Sequence, residues 1–314
     1  MKAIERVCIV GAGSIGSLFA AHLASMTNVS ILTRREEHAT RLNSKGLQVT
    51  GKSILQEQVH ASINPAELGE VDLVIVATKT IHVEQSVCRL QGCFPNALIM
   101  LVQNGLGCEE LVARYGDWPI LSAVTFMAGS RYSDVHVEYE LDTATWIGPW
   151  CNSNASYDDA IQVTALLESS GLKAEAFEDV LPAQWSKLIF NSAVNSIAAV
   201  TDLPFCQYFA EREQLSDLGH LVYDTIDEGK RVAEACGVSL LEDPWQMVLK
   251  AAGLYHTERG KGRVPSMLAD VRARQQTEVE AITGAVIRQA AIASVPVPIH
   301  ESLYRLIIAI ESTW

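Results

Sequence analysis

The sequence has no paired cysteine spacing, no basic excess, no long apolar run and no metal-ligand pattern. Its seven cysteines, Cys8, Cys88, Cys93, Cys108, Cys151, Cys206 and Cys236, are odd in number and scattered, with no C-x-x-C among them. That excludes a disulfide framework and describes free thiols in a reducing compartment, most of them used as small buried hydrophobes. Its eight histidines form no H-E-x-x-H or related spacing, so no metal site is expected. Glu5 and Arg6 interrupt the apolar start and Gly11 ends it too early for a signal h-region. With no run of about 18 apolar residues anywhere, a soluble cytoplasmic protein is expected. Lysine and arginine number 24 against 37 aspartates and glutamates, a net charge of -13. The broad basic face that nucleic acid or an anionic membrane requires is therefore missing, and neither is expected as a partner. An anionic ligand would have to be held by locally placed positive groups.

What is present is a chain of 314 residues, 48% apolar and 19% charged, long enough for two domains with real cores. In the first half, short β-rich runs alternate with helical stretches. Val7 to Val10, Val29 to Leu32, Val71 to Val76 and Ala97 to Val102 read as strands covered on both faces, and Ser14 to Ser25 as a helix. A doubly wound α/β domain of Rossmann type accounts for them. Between Thr125 and Trp150 the pattern becomes alternating, with Val135, Val137, Tyr139 and Leu141, and predicts an antiparallel addition at the sheet edge. From Pro182 onward strands give way to helical patterns over Pro182 to Val200, Leu215 to Cys236, Trp245 to Tyr255, Asp270 to Ser294 and Ile299 to Glu311. Residues 1–180 are thus expected to form the α/β domain and 181–314 an all-α domain.

Gly11-Ala12-Gly13-Ser14-Ile15-Gly16 directly follows the first strand and opens the first helix. This G-x-G-x-x-G spacing suits a dinucleotide: one glycine for the turn, one for pyrophosphate approach, one for helix–strand contact, with helix N–H groups facing the phosphates. After the second strand stand Arg34 and Arg35, where an NAD-binding domain places an acid on the ribose 2′-hydroxyl. A guanidinium pairs with a 2′-phosphate that a carboxylate would repel, so NADP(H) is favoured over NAD. Lys79, in Thr78-Lys79-Thr80, and Asn104, in Gln103-Asn104-Gly105, follow the third and fourth predicted strands, at the sheet end where ligands lie. Each could equally be an ordinary loop residue.

In the second half Lys187, Asn191 and Asn195 recur every four residues and share one helix face. If buried, they need partners, either a polar substrate with Lys187 as proton donor or a polar seam between domains. Ser266, before Met267 and Leu268, reads as a helix N-cap or a ligand contact, and Glu278 as a solvated helix residue or part of a site. Arg259, Lys261 and Arg263 form a small basic loop.

Taken together, these segments resemble the ketopantoate reductase family in order and spacing: the glycine motif, Thr78-Lys79, Gln103-Asn104-Gly105, the Lys187/Asn191/Asn195 helix, Ser266-Met267-Leu268-x-Asp270, Thr277-Glu278 and Pro296-Val297-Pro298. The resemblance implies an NADPH-binding Rossmann domain and a helical domain holding a 2-oxo acid, with ketopantoate reduced to pantoate in pantothenate biosynthesis. It implies Lys187 as catalytic acid and Glu278 as its acidic partner. Asn191, Asn195 and Ser266 would hold the substrate, Asn104 and Lys79 would lie near the nicotinamide ribose and reacting carbonyl, and Arg34 would hold the 2′-phosphate. A homodimer is compatible with it. Ser196 stands where the family often has proline, and Val137-Glu138-Tyr139-Glu140 replaces a glycine-rich stretch. The second departure would allow a reductase of another 2-oxo acid; a separate alternative is a non-catalytic NADP-binding sensor, against which the presence of both Lys187 and Glu278 argues.

Overall fold

Strand β1 (Arg6–Val10) sends alternate side chains into two different cores, which is why all but its first residue are buried. Val7 and Ile9 join one apolar cluster with Leu73, Ile75 and Met100. Cys8 and Val10 join another with Val74, Val76 and Leu101. The computed structural model describes residues 3–212, 217–253 and 262–314.

After β1 the chain runs through α1 (Ser14–Ala24), β2 (Asn28–Leu32), α2 (Glu36–Lys45), β3 (Leu47–Gly51), β4 (Leu55–Glu57), β5 (His60–Ser62), β6 (Leu73–Val76) and α3 (Val83–Cys88). It continues through β7 (Leu98–Leu101), α4 (Cys108–Val112), β8 (Ile120–Thr125), β9 (Ala128–Ser133), β10 (His136–Leu141), β11 (Thr145–Pro149), α5 (Tyr157–Ser169) and β12 (Ala174–Ala176). The eight-stranded main sheet has the order β12-β11-β8-β7-β6-β1-β2-β5. From β5 to β8 all neighbours are parallel, giving the doubly wound order of a Rossmann-type domain. The order reverses at β1, whose neighbours are β2 and β6.

The alternating segment differs from its predicted place. Only β11 adds antiparallel to the main sheet, beside β8. Strands β9 and β10 instead form a second sheet of order β4-β3-β10-β9, with β10 parallel to β3. Val137 and Tyr139 of β10 are buried in the same cluster as Leu18 and Phe19 of α1, whereas Glu138 and Glu140 are not buried. Alternation thus identifies a strand with one covered face, but not what covers it. β3 alternates in the same way over Leu47 to Thr50, whereas β4 and β5, at three residues each, are too short to carry such a signal.

The helices of the second half are α6 (Leu181–Thr201), α7 (Asp217–Ala235), α8 (Pro244–Gly253), α9 (Ser266–Arg272), α10 (Thr283–Ala293) and α11 (Pro298–Glu311). Leu215 and Tyr255, at the ends of two predicted helical stretches, lie outside the described residues. The predicted helix from Asp270 to Ser294 is interrupted between α9 and α10. There Arg274 takes φ 51°, and Thr277 donates both its backbone N–H and its hydroxyl to Glu311 Oε1, at 2.9 and 2.6 Å. Glu311 therefore satisfies a backbone donor that a continuous helix would otherwise use. Two compact units result: Met1–Gln103 with Cys108–Val180, and Asn104–Gly107 with Leu181–Trp314.

The second unit contains a sealed polar network. Glu228, 2% exposed, accepts from the backbone of Ile299 and His300 at 3.0 and 3.1 Å and lies 2.9 Å from His300 Nδ1. His300 Nε2 is in turn 3.0 Å from Ser192 Oγ. The order serine, histidine, carboxylate imitates a hydrolytic triad, but Ser192 and His300 are both wholly buried, so the network fastens the start of α11 to α6 and α7. Burial pushes the Glu228 carboxyl up; the hydrogen bonds from His300 and the two amides outweigh it and hold it below the usual range. Its stabilisation is therefore present above the ordinary carboxyl pKa and lost as pH falls. Glu228→Ala should lower the unfolding free energy by about 3–5 kcal/mol, as breaking one side of a buried pair does. Denaturant titration at neutral pH checks this; a loss below about 1 kcal/mol would show the network to be dispensable.

Candidate functional site

In the first unit the glycine motif meets its steric demands at the point where strand order reverses. Gly11 has φ +98°, and a Cβ there would come within 2.7 Å of Thr78 Cγ2. A Cβ on Gly16 would lie 2.0 Å from the Gly11 carbonyl oxygen, so α1 can pack this closely on β1 only without one. At Gly13 a Cβ would meet nothing within 4 Å: this glycine faces open space. Gly13 is the N-cap of α1, extended and without a side-chain cap, and half-buried Ser14 and Ile15 begin the helix. Backbone N–H groups and the positive end of the helix dipole thus front a space where an anion fits.

Around this turn stand groups from neighbouring strand ends. Gln103 donates from Nε2 to the carbonyls of Val76 and Thr78 at 2.8 and 3.0 Å, joining the ends of β6 and β7. Its Oε1, like Thr78 Oγ1, is buried without a hydrogen-bond partner in the structure. The two arginines after β2 part company. Arg35 is paired with Asp134 at 2.5 Å, a carboxylate that Arg41 also holds at 3.0 Å. Arg34 Nη1 lies 3.3 Å from His82 Nε2. Burial first, then the charges of Arg34 and Lys79, push the His82 pKa down. Arg34 and Lys79 therefore make a local positive group around a neutral His82 on an acidic protein.

In the second unit Lys187, Asn191 and Asn195 lie on α6 at exposures of 9%, 8% and 6%. Glu278 is equally buried, at 8%, in the bend between α9 and α10, and is not the solvated helix residue of one sequence reading. Its Oε2 accepts from Asn104 Nδ2 at 3.1 Å. The loop carrying Asn104 is seated on the same bend: Leu106 N–H donates to the Ala281 carbonyl at 3.1 Å. Gly105 has φ +91°, and a Cβ there would lie 2.0 Å from that carbonyl. Asn104, assigned from sequence to the cofactor, is thus tied to Glu278. Burial pushes the Lys187 ammonium down to about 8, with the Glu278 carboxylate opposing the shift. A buried lysine titrating this near neutrality can release its proton to a developing alkoxide and is suited to general acid chemistry.

Ser266 is exposed as the first residue of α9, with Pro265 and not Ser266 at the N-cap. Of the basic loop, Arg259 and Lys261 lie outside the described residues, while Arg263 exchanges backbone hydrogen bonds with Phe205 at 2.8 and 3.0 Å. Sequence reading quoted Gln103 without assigning it a role and passed over His82. An amide at a strand end marks the first, but only the fold brings the second to Arg34.

Comparison with known proteins gives matches over almost the whole chain. Residues 7–152 match the family model described as ketopantoate reductase PanE/ApbA, and 179–311 match that of its C-terminal part. A 2-dehydropantoate 2-reductase of Pyrococcus horikoshii is 26% identical over 310 residues, 98% of each chain. The crystal structure of a 2-dehydropantoate 2-reductase from Geobacter metallireducens is 25% identical and superposes with a TM-score of 0.85 over 97% of this chain and 99% of that one. The ternary structure of D-mandelate dehydrogenase with NADH and anilino(oxo)acetate shares the fold at 20% identity, with a TM-score of 0.85 over 98% and 99% of the two chains. Among the described residues no helix is long and apolar enough to cross a membrane.

Proposed function

Since the chain belongs to the ketopantoate reductase family and is an oxidoreductase, we propose that it reduces a 2-oxo acid to the 2-hydroxy acid with NADPH, the substrate being 2-dehydropantoate (ketopantoate). The observation that carries the reading is the buried Lys187 beside Glu278, an acid tuned toward neutrality on a helix face that also bears Asn191 and Asn195.

The residues of the first unit fit a dinucleotide. Gly11 and Gly16 form a turn that a side chain would obstruct, Gly13 leaves the helix N-terminus open, and Arg34 offers a guanidinium that no carboxylate among the described residues holds, unlike Arg35. These residues, with Ser14, Ile15 and Lys79, would hold the cofactor, which when bound supplies the hydride. Lys187 donates the proton that balances it, converting C=O to CH–OH, and its positive charge stabilises the oxygen as negative charge develops. Glu278 keeps the lysine charged, and Asn104 fixes the Glu278 carboxylate. Asn191 and Asn195, with Ser266, supply hydrogen bonds to the hydroxyl and carboxylate of the substrate.

The test follows NADPH oxidation by the purified protein with ketopantoate and a panel of other 2-oxo acids. Ketopantoate should give the highest kcat/KM. A higher value for another acid would reassign the substrate, and NADPH binding with no turnover of any acid would make the protein a sensor.

A further inference from the structure

We infer that His82 is a second phosphate-reading residue beside Arg34, and that it takes up a proton when the adenosine 2′-phosphate binds. The inference rests on the proposed NADPH reading, and concerns a residue to which the sequence assigned nothing.

The geometry is specific at the level of atoms. A guanidinium only donates, so at 3.3 Å from Arg34 Nη1 the His82 Nε2 must be the acceptor. The ring is then neutral, with its proton on Nδ1. The groups around it favour this state. Arg34 comes from the segment after β2, Lys79 from the end of β6, and both act on the ring as positive charges. Glu36 and Glu37 open α2 just beyond Arg35, and three further charged groups nearby have other partners. Glu84 of α3 accepts from Tyr115 Oη at 2.7 Å, Arg89 donates to the Thr33 carbonyl at 3.3 Å, and Arg35 holds Asp134.

A 2′-phosphate changes the sign of this surrounding. The oxygens of the phosphate dianion only accept, so one held by Arg34 meets an unprotonated Nε2 acceptor to acceptor, which is repulsive. Its charge also offsets Arg34 and Lys79, the two charges that, after burial, push the ring toward neutrality. Both effects favour a proton on Nε2, which then donates to the phosphate oxygen in a charge-assisted hydrogen bond. One proton comes from solvent and stays on the ring while the phosphate is bound. NADH lacks the phosphate and makes no such demand.

Dissociation constants for NADPH and NADH would be measured by cofactor fluorescence between about pH 6 and 8, for the wild type, His82→Gln and Arg34→Ala. Calorimetry in two buffers of different ionisation enthalpy counts the proton taken up. For NADPH, the affinity advantage of wild type over His82→Gln should grow by about three- to tenfold from pH 8 to 6, since one linked proton gives at most about tenfold per unit. NADH should bind both proteins alike at each pH, which also shows that the variant is folded. Titration of the 2′-phosphate itself is common to both proteins and cancels in their ratio. An NADPH ratio that does not change with pH, or equal proton uptake by wild type and variant, overturns the inference. Failure of the underlying reading looks different: Arg34→Ala would leave the preference for NADPH over NADH unchanged at every pH.

Discussion

Lys187→Ala should lower kcat for ketopantoate reduction by about 10²–10⁴-fold, the range for removing a general acid, while NADPH still binds. The loss should fall on kcat because the proton is needed in the transition state and not in the bound ground state. Stopped-flow single turnovers separate the chemical step from product release, and an unchanged single-turnover rate would remove Lys187 from the proton path. The pH profile gives a second readout. With a pKa near 8, the lysine of the free enzyme loses its proton in the mildly alkaline range, so kcat/KM should fall above about pH 8. Glu278 is the neighbour that raises this value against burial. Glu278→Gln should therefore move the alkaline limb to lower pH; a shift in the opposite direction would mean that the two residues are not coupled as described.

Arg34→Ala should weaken NADPH binding by about 10–100-fold and leave NADH within about twofold, the loss expected when hydrogen bonds to a charged group are removed. Arg35→Ala should have much the smaller effect, because Arg35 is already engaged by Asp134. Titration of each variant with both cofactors tests this. Equal losses for NADPH and NADH would sink the 2′-phosphate assignment, and a larger loss at Arg35 would transfer it.

The sequence made some of this legible and not the rest, for physical reasons. Runs such as Leu73–Val76 announce a strand covered on both faces, since residues of either parity are apolar. Gly11 takes a positive φ and Gly16 packs on the Gly11 carbonyl, demands that lie within six residues, while Gly13 leaves open space, so a short pattern carries the motif. Lys187, Asn191 and Asn195 share a face by helical spacing alone. What separates Arg34 from Arg35 is Asp134, 99 residues from the latter, and what holds Glu278 is Asn104, 174 residues away. No window along the chain contains such pairs. The break between α9 and α10 was equally hidden, because the carboxylate that stabilises it belongs to Glu311 at the far end of α11. Val137 and Tyr139 revealed their buried face but not their sheet, since a strand on a small second sheet alternates just as one on a main-sheet edge does.

Asn104–Gly107 belongs to the unit that otherwise begins at Leu181. As the chain leaves the ribosome, this loop emerges long before the bend that receives it. The Leu106 amide must wait for the Ala281 carbonyl, and Asn104 for Glu278. A fragment starting at Leu181 would lack both donors, however complete its six described helices, and its Glu278 would lose the hydrogen bond from Asn104. Proteolysis near Val180 would not release an intact helical half, because four of its residues lie upstream of the cut. Expressing the protein as two separate chains cut near Val180 would part Asn104 from the Glu278 carboxylate it holds.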